Sequence, residues 1–476
     1  MATAVKDTAR GVLGEADRAE IDAMIERARA AMRAVEHYTQ EQADRLCRAL
    51  GWATANEKTF ARFARMSVEE SRLGDPEGRI SKRFKIMGVL RDALRQKSIG
   101  IVEQQPEKGI VKYGKPAGVI ASLVPTTNPE LTPPFTAIYA VKCLDAVIFS
   151  PHPRSKNTTR EVVRIMRETL KRLGAPEDLL QCVERPSIPS TQHLMSHCDV
   201  TFATGGQPMV RAAYSSGKPA YGVGAGNSTM VIDETADLDI AARNSRISKT
   251  SDFGSGCSAD GNLLIDSRIY DRFLQALQSE GGFLASQEQA QALERVIWDQ
   301  EGHRLPDSVA CAPQRLAELA GFEIPADRKF IMVKNDKIGP RHNWSREKLT
   351  TALAVYRYEG FDQALEMVRQ IYEVGGKGHS CGIYSHDDGH IDRLARVAPV
   401  SRMMVRQPQS KANAGAFNNG MPMTSSLGCG IWGGNVTNEN IHLKHFMQTT
   451  WVSRPIPEDR PSEQELFGEF YGTEAL

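Results

Sequence analysis

The chain predicts an α/β protein built of two α/β units and a C-terminal extension, and three observations lead there. Short apolar runs end again and again in polar loops bounded by Gly or Pro, and stretches with helical spacing lie between those runs. The 476 residues also exceed what one compact core normally holds.

From Ala16 to Ala64, Ala, Leu, Ile and Met recur among charged residues at helical spacing, with breaks expected near His37–Thr39 and in ATANEK. This opening region is expected to pack against a sheet. In KGIVKYGKPAGVIASLVPTTNPELTPPF two strand-like runs flank GKPAG, and the second ends in a loop that carries Asn128. PPFTAIYAVKCLD reads as a crossover helix, AVIFSPHPRS repeats the strand-then-loop pattern, and TTREVVRIMRETLKRLG reads as a second helix. A further strand ends at DVTFATGG, followed by QPMVRAAYSSG and the glycine-rich YGVGAGNSTMVID. Successive strand, loop and helix imply a parallel sheet with ligands at the carboxyl ends of its strands. Neither TGG nor GVGAG matches GxGxxG, so each reads either as a close approach to a cofactor or as an ordinary turn.

The main boundary is expected near residues 235–240, giving units 1–235, 236–431 and 432–476. In the second unit LTTALAVYRYE, GIYSH and SRMMV read as strands and FDQALEMVRQIYEVG as a helix. No internal repeat is present.

Composition narrows the partners. Lys plus Arg total 59 and Asp plus Glu total 58, a formal net charge of +1, so no overall field holds nucleic acid. The eight cysteines are scattered without CxxC pairs, which suits reduced thiols in the cytoplasm better than disulfides or a zinc knuckle. The N-terminus lacks a secretory apolar core, and no segment reaches the length of a hydrocarbon span. Small molecules and further copies of the chain are the expected partners, with no membrane and no metal.

Chemistry centres on KTSDFGSGCSADGNLLID, residues 249–266. Cys257 stands among glycines and small polar residues ahead of an apolar run, where it is either a reachable nucleophile or an inert thiol in a turn. Attack on an aldehyde or acyl carbon needs donors for the developing oxyanion. Asn128 and the Cys257 amide offer them, although Asn before Pro also serves simply to cap a loop. No histidine lies locally beside Cys257, so a cysteine protease lacks its base. His193 and His197 in HLMSH show no nearby acid and read as a helix-end face; HDDGH, residues 386–390, reads as a surface turn.

VPTTNP, IFSPHPRSK, TGG, GVGAGN, SKTxDxGxxC, REKLTTALAVYR and LGCGIWGGNVTNENIHLKH follow one another in an order that resembles the CoA-acylating aldehyde dehydrogenases over nearly the whole chain. The resemblance implies an aldehyde dehydrogenase-like fold: a Rossmann-like cofactor domain, a second α/β catalytic domain and an oligomerisation extension. It implies that Cys257 attacks an aldehyde, that Asn128 helps hold the oxyanion, and that NAD or NADP takes the hydride before CoA takes the acyl group. It assigns Thr204, Gly205, Gly206 and Glu347 to the cofactor, Glu347 at the nicotinamide ribose. It also assigns Ser150, His152 and Arg154, with Lys156, to the adenine-ribose side, leaving NADP and NAD both open. Where hydrolytic relatives carry a water-activating glutamate this chain has Val223, which disfavours hydrolysis. Cys429 is expected to be structural.

Arg402, Arg406 and Lys411 are expected near the substrate and CoA tunnel, with Arg406 the anion-binding candidate. The implied substrate is a small anionic aldehyde, sulfoacetaldehyde first, with acetaldehyde or propionaldehyde as the uncharged alternative. A hydrolytic aldehyde dehydrogenase and a CoA-binding scaffold without activity are the remaining rivals. A homodimer or dimer-based homotetramer is implied, built through a hairpin near 101–116 and the segment KHFMQTTWVSRPI.

Overall fold

The computed structural model describes residues 13–473. Its opening helices are Glu15–Val35, Gln40–Ala55 and Glu57–Ser71. The breaks fall where capping chemistry sits. Thr39 accepts from the Gln42 amide while the Gln42 side chain returns to the Thr39 amide, and Asn56 caps the third helix. Ile21, Ala28, Leu46, Leu50, Phe60 and Phe63 on these helices join the core of the first sheet.

That sheet is parallel and five-stranded, in the order Leu180–Cys182, Ala146–Pro151, Val119–Val124, Val200–Thr204, Ala220–Val223. Its central strands are buried on both faces, which is why they read as unbroken apolar runs. The chain steps outward from Val119–Val124 on one side and then crosses to Val200–Thr204 on the other. A crevice opens at such a reversal, beyond the carboxyl ends of the two strands.

The second parallel sheet has seven strands, in the order Gly282–Leu284, Phe330–Lys334, Ala352–Tyr358, Asn262–Asp266, Thr229–Ile232, Cys381–Tyr384, Met403–Val405. Helix Phe361–Val374 packs its apolar face on this sheet. Thr229–Ile232 pairs with Asn262–Asp266 and Cys381–Tyr384, so the chain enters the second sheet at Thr229. The changeover thus precedes the boundary expected near 235, because the apolar run STMVID reads the same whichever sheet it joins.

The expected hairpin is present as Gly100–Gln105 and Ile110–Pro116, antiparallel, turning at Gly109 with φ 63°. Any side chain at Gly109 would also meet Arg454 O at 2.4 Å. Strand Met447–Ser453 adds antiparallel to Ile110–Pro116 of the same chain and leaves its other edge open. On the way there Ile441, Leu443 and Phe446 rejoin the first core, where the Phe446 ring stacks on Phe202 at 4.4 Å. Among the described residues no helix is long and apolar enough to cross a membrane.

Candidate active site

Five residues, 224–228, carry the chain from the last strand of the first sheet to the first residue of the second. They set the carboxyl edge of one sheet against the amino edge of the other. Asn128, Ser150 to Arg154 and Thr204 to Gly206 stand at that carboxyl edge, whereas Cys257, Glu347 and His379 precede strands of the second sheet. The first sheet therefore turns the carboxyl ends of its strands to the cleft and the second sheet the amino ends.

Cys257 follows a short turn in which Asp252 and Phe253 take left-handed backbone with φ 50° and 51°, a strained conformation for residues with a side chain. A buried ion cluster holds the turn. Arg79 donates to Asp252 through Nε (3.1 Å) and Nη2 (2.9 Å) and lies 3.5 Å from Glu130. Lys82 Nζ donates to Asp252 Oδ2 and to Asn128 Oδ1, both at 2.7 Å. Burial opposes the charge on Asp252, but Lys82 and Arg79 outweigh it and hold its carboxyl down at about 2. Lys82 thus ties the Asn128 loop to the Cys257 turn. With Oδ1 accepting from the ammonium, the NH2 of Asn128 is the free end, the orientation an oxyanion donor requires. The Cys257 N–H donates to no backbone carbonyl among the described bonds.

No histidine neighbours Cys257 in sequence; the fold supplies one 122 residues away. His379 Nε2 lies 3.0 Å from Cys257 Sγ. Its Nδ1 lies 2.8 Å from Ser380 Oγ, which lies 3.1 Å from Ser228 Oγ, which donates to Cys257 O at 3.3 Å. One proton arrangement satisfies every link. Ser228 gives its hydrogen to the carbonyl, so Ser380 gives its own to Ser228 and accepts from His379 Nδ1–H, leaving the Nε2 lone pair facing the thiol. Burial pushes the Cys257 thiol up to about 12, with Glu347 and Cys429 adding to the shift. Burial and Arg402 push His379 down to about 3, so the resting pair is a neutral thiol and a neutral imidazole. The available signal was GGKGHSCG, a histidine in a glycine turn ahead of a strand, as Cys257 itself is.

Glu347 accepts from Gly226 N at 3.1 Å and pairs with Arg304 at 2.6 Å. Gly226 leaves no room for a side chain, since a Cβ there would fall 1.9 Å from Cys257 O. Val223 is buried at the end of its strand, and the cleft has no acid at that position. Cys429 is fully buried, its amide donating to Asn435 Oδ1 at 2.9 Å and its carbonyl lying against Gly378.

At the carboxyl edge of the first sheet Ser150 shares a hydrogen bond with Thr191 at 2.9 Å. His152 accepts from the Arg154 amide, and the Arg154 guanidinium donates to Ser71 O. Thr204 reaches Ser426 at 2.9 Å, and Gly206 opens helix Gln207–Tyr214. Thr126 Oγ1 is buried beside the crevice without a partner, a polar atom that a dinucleotide would satisfy.

Arg406 is not brought to Cys257. It follows the carboxyl end of Met403–Val405 and donates to Ser385 O, beyond the carboxyl end of Cys381–Tyr384, whereas His379 precedes the amino end of that same strand. Arg402 is buried, its guanidinium donating to the carbonyls of His379, Gly428 and Asn438. The acid missing from HLMSH is Asp22, 2.7 Å from His193. HDDGH is also more than a turn: Asp387 caps helix Asp388–Val397, and His390 meets Asp233 and Glu234 at metal-ligand spacing. Arg268, 2.8 Å from Glu234, already supplies positive charge there.

The aldehyde dehydrogenase family profile matches residues 4–286. A sulfoacetaldehyde dehydrogenase of Acholeplasma sp is 41% identical over 451 residues, covering 94% of this chain and 93% of that one. The crystal structure of an acetylating aldehyde dehydrogenase from Geobacillus thermoglucosidasius superposes with a TM-score of 0.90 at 34% identity, covering 94% of this chain and 99% of that one. A Rhodopseudomonas palustris propionaldehyde dehydrogenase with bound CoA and an acylated cysteine gives 0.81 at 26% identity, covering 91% and 97%. With a cysteine and an oriented amide converging between two such sheets, the chain belongs to the aldehyde dehydrogenase family, in its CoA-acylating branch.

Proposed function

We propose that the protein oxidises a short anionic aldehyde, sulfoacetaldehyde first, to its CoA thioester, with NAD(P) as hydride acceptor. The observation that carries the reading is Cys257 Sγ 3.0 Å from the bare Nε2 of His379, in a cleft with Val223 where a water-activating acid would stand. The similarity to a sulfoacetaldehyde dehydrogenase supports the choice of aldehyde.

The thiol proton passes to His379 Nε2 as sulfur attacks the carbonyl carbon, so a weak nucleophile is activated only when an electrophile is present. The aldehyde oxygen, now negative, takes hydrogen bonds from Asn128 Nδ2–H and Cys257 N–H. A nicotinamide bound in the crevice would supply the hydride acceptor for oxidation of this adduct to the thioester. Thr126, Thr204, Gly205 and Gly206 would hold it, with Glu347 towards its ribose and Ser150, His152 and Arg154 towards the adenine side. His379 then releases its proton to solvent, takes the CoA thiol proton as that sulfur attacks the thioester, and passes it to Cys257 as the thiolate leaves. With Val223 where hydrolytic relatives carry their water-activating glutamate, that route to hydrolysis is missing and the thioester waits for the CoA thiol.

The chain's eight free cysteines suit a reducing compartment, the cytoplasm. Open strand edges on the hairpin sheet favour assembly with further copies.

The test is an assay of sulfoacetaldehyde, acetaldehyde, propionaldehyde and succinic semialdehyde with CoA and each nicotinamide, with products identified by mass. Sulfoacetyl-CoA is expected at the highest kcat/KM. A preference for acetaldehyde or propionaldehyde overturns the anionic assignment, and free acid without CoA overturns the acylating one.

A further inference from the structure

The charges around the cleft do not cancel, and the remainder is positive. Arg79 and Lys82 face Asp252 and Glu130, and Arg304 faces Glu347. Two further lysines stand on the same wall with no carboxylate within ion-pair distance among the described residues: Lys85, on helix Arg83–Leu94, and Lys411.

Their placement is specific. The segment carrying Lys411 is bonded to both sides of the Cys257 loop. Ser410 N donates to Ser248 Oγ at 3.2 Å, and Gln409 Nε2 donates to Asp260 Oδ1 at 2.8 Å. Lys85 Nζ donates to Lys411 O at 3.0 Å and to Gly415 O, which fastens the loop to the helix whose cap is Lys82, the residue holding Asn128. Asp92 accepts from Met423 N at 2.8 Å, and Arg91 covers Phe417 at 5.1 Å, so the helix grips the loop along its length. The Lys411 ammonium itself makes no hydrogen bond among those described, although the residue is half-buried. Burial, aggravated by Lys411, pushes Lys85 down to about 7, and burial with Lys82 lowers Lys411. When both are protonated the two ammoniums repel each other, with Asp252 offsetting Lys411 only in part, and an anion placed between them removes that repulsion.

Resting on the reading that the substrate is anionic, we propose that Lys85 and Lys411 form the subsite for its charged end, so that a sulfonate or carboxylate one or two carbons from the aldehyde lies against them while the carbonyl faces Cys257 and Asn128. A sulfonate stays ionised at any working pH and offers three acceptor oxygens, enough to meet both ammoniums at once. The work that sequence reasoning gave to Arg406 falls instead to Lys411, five residues further on.

Lys85→Gln and Lys411→Gln, checked for folding by thermal melting, are compared with the unaltered enzyme on sulfoacetaldehyde and acetaldehyde at saturating CoA and cofactor. The expected result is a fall in the ratio of the two kcat/KM values of roughly tenfold to a hundredfold in each variant, seen mainly in the KM for sulfoacetaldehyde. Equal losses on both aldehydes, or a raised KM for CoA in place of the aldehyde effect, overturn the subsite. A second measurement needs no turnover: ethanesulfonate is expected to slow alkylation of Cys257 by iodoacetamide in the unaltered protein and to lose that effect in Lys411→Gln. Should the unaltered enzyme prefer acetaldehyde, the substrate reading fails on its own. Ethanesulfonate protection that depends on Lys411 still upholds the subsite, and its absence overturns it.

Discussion

At the scale of single residues the site turns on a proton. A preformed thiolate–imidazolium pair needs surroundings that stabilise both charges. Here burial disfavours both, pushing Cys257 up to about 12 and His379 down to about 3. Glu347 and Cys429 oppose the thiolate, and Arg402 favours it while opposing an imidazolium. The sign is therefore definite: below the raised value the thiolate fraction rises with pH, about tenfold per unit. Alkylation of Cys257 by iodoacetamide in the free enzyme is expected to climb in this way from pH 7 to pH 9 without a plateau. Levelling near neutrality would mean a resident ion pair and would overturn the account. His379→Ala removes the proton acceptor and is expected to lower kcat by roughly 10²–10⁴-fold while leaving cofactor affinity near that of the parent. An equal loss in cofactor affinity would make His379 a structural support instead.

At the scale of elements, the turn before Cys257 is held by helices far away in sequence. Asp252 is buried, adopts a left-handed backbone and accepts from Arg79 and Lys82. Asp252→Asn leaves Arg79 and Lys82 without that charge and is expected to cost about 3–5 kcal/mol of stability, measured by denaturant unfolding near neutral pH. Since its folded carboxyl is held down at about 2, this contribution is present above the ordinary carboxylate range and is lost as pH falls towards 2. The gap between parent and variant should narrow over that range, and a gap that does not vary with pH would remove the ion cluster from the explanation.

The elements also show what a sequence can and cannot say. Buried strands such as Val119–Val124 and Ala352–Tyr358 are legible because a strand covered on both faces must be apolar throughout, and the helix breaks are legible through Thr39 and Asn56. Which end of a strand faces the site depends on how the connection before it runs. Only the structure shows that residues 224–228 join a carboxyl edge to an amino edge, and with it that Arg406, expected beside the substrate, stands at the far end of its sheet. His379 was missed for a related reason: its pairing with Cys257 is spatial, between the amino ends of two strands that Thr229–Ile232 separates.

At the scale of the whole molecule, the three-stranded sheet projects with both of its outer edges, Gly100–Gln105 and Met447–Ser453, unpaired in the chain. A free strand edge offers its N–H and C=O groups to any partner, and charged residues or covering segments are the usual protection. Lys112 lies over the Trp451 ring at 4.1 Å, but Trp451 and Val452 remain exposed beside the open edge. The segment that follows presents Ile456, Leu466, Phe467, Phe470 and Tyr471 to solvent as well. So much apolar surface in one arm is what an interface between copies looks like before assembly, and self-complementary pairing about a two-fold axis closes it without leaving a growing edge. Light scattering is expected to give the mass of a dimer or of a dimer-based tetramer. Replacing Trp451 and Val452 with Lys is expected to shift that mass towards one subunit, with the thermal transition of the parallel sheets little changed. A single-subunit mass for the unaltered protein across dilute and concentrated samples would show that the arm is closed by something other than a second copy.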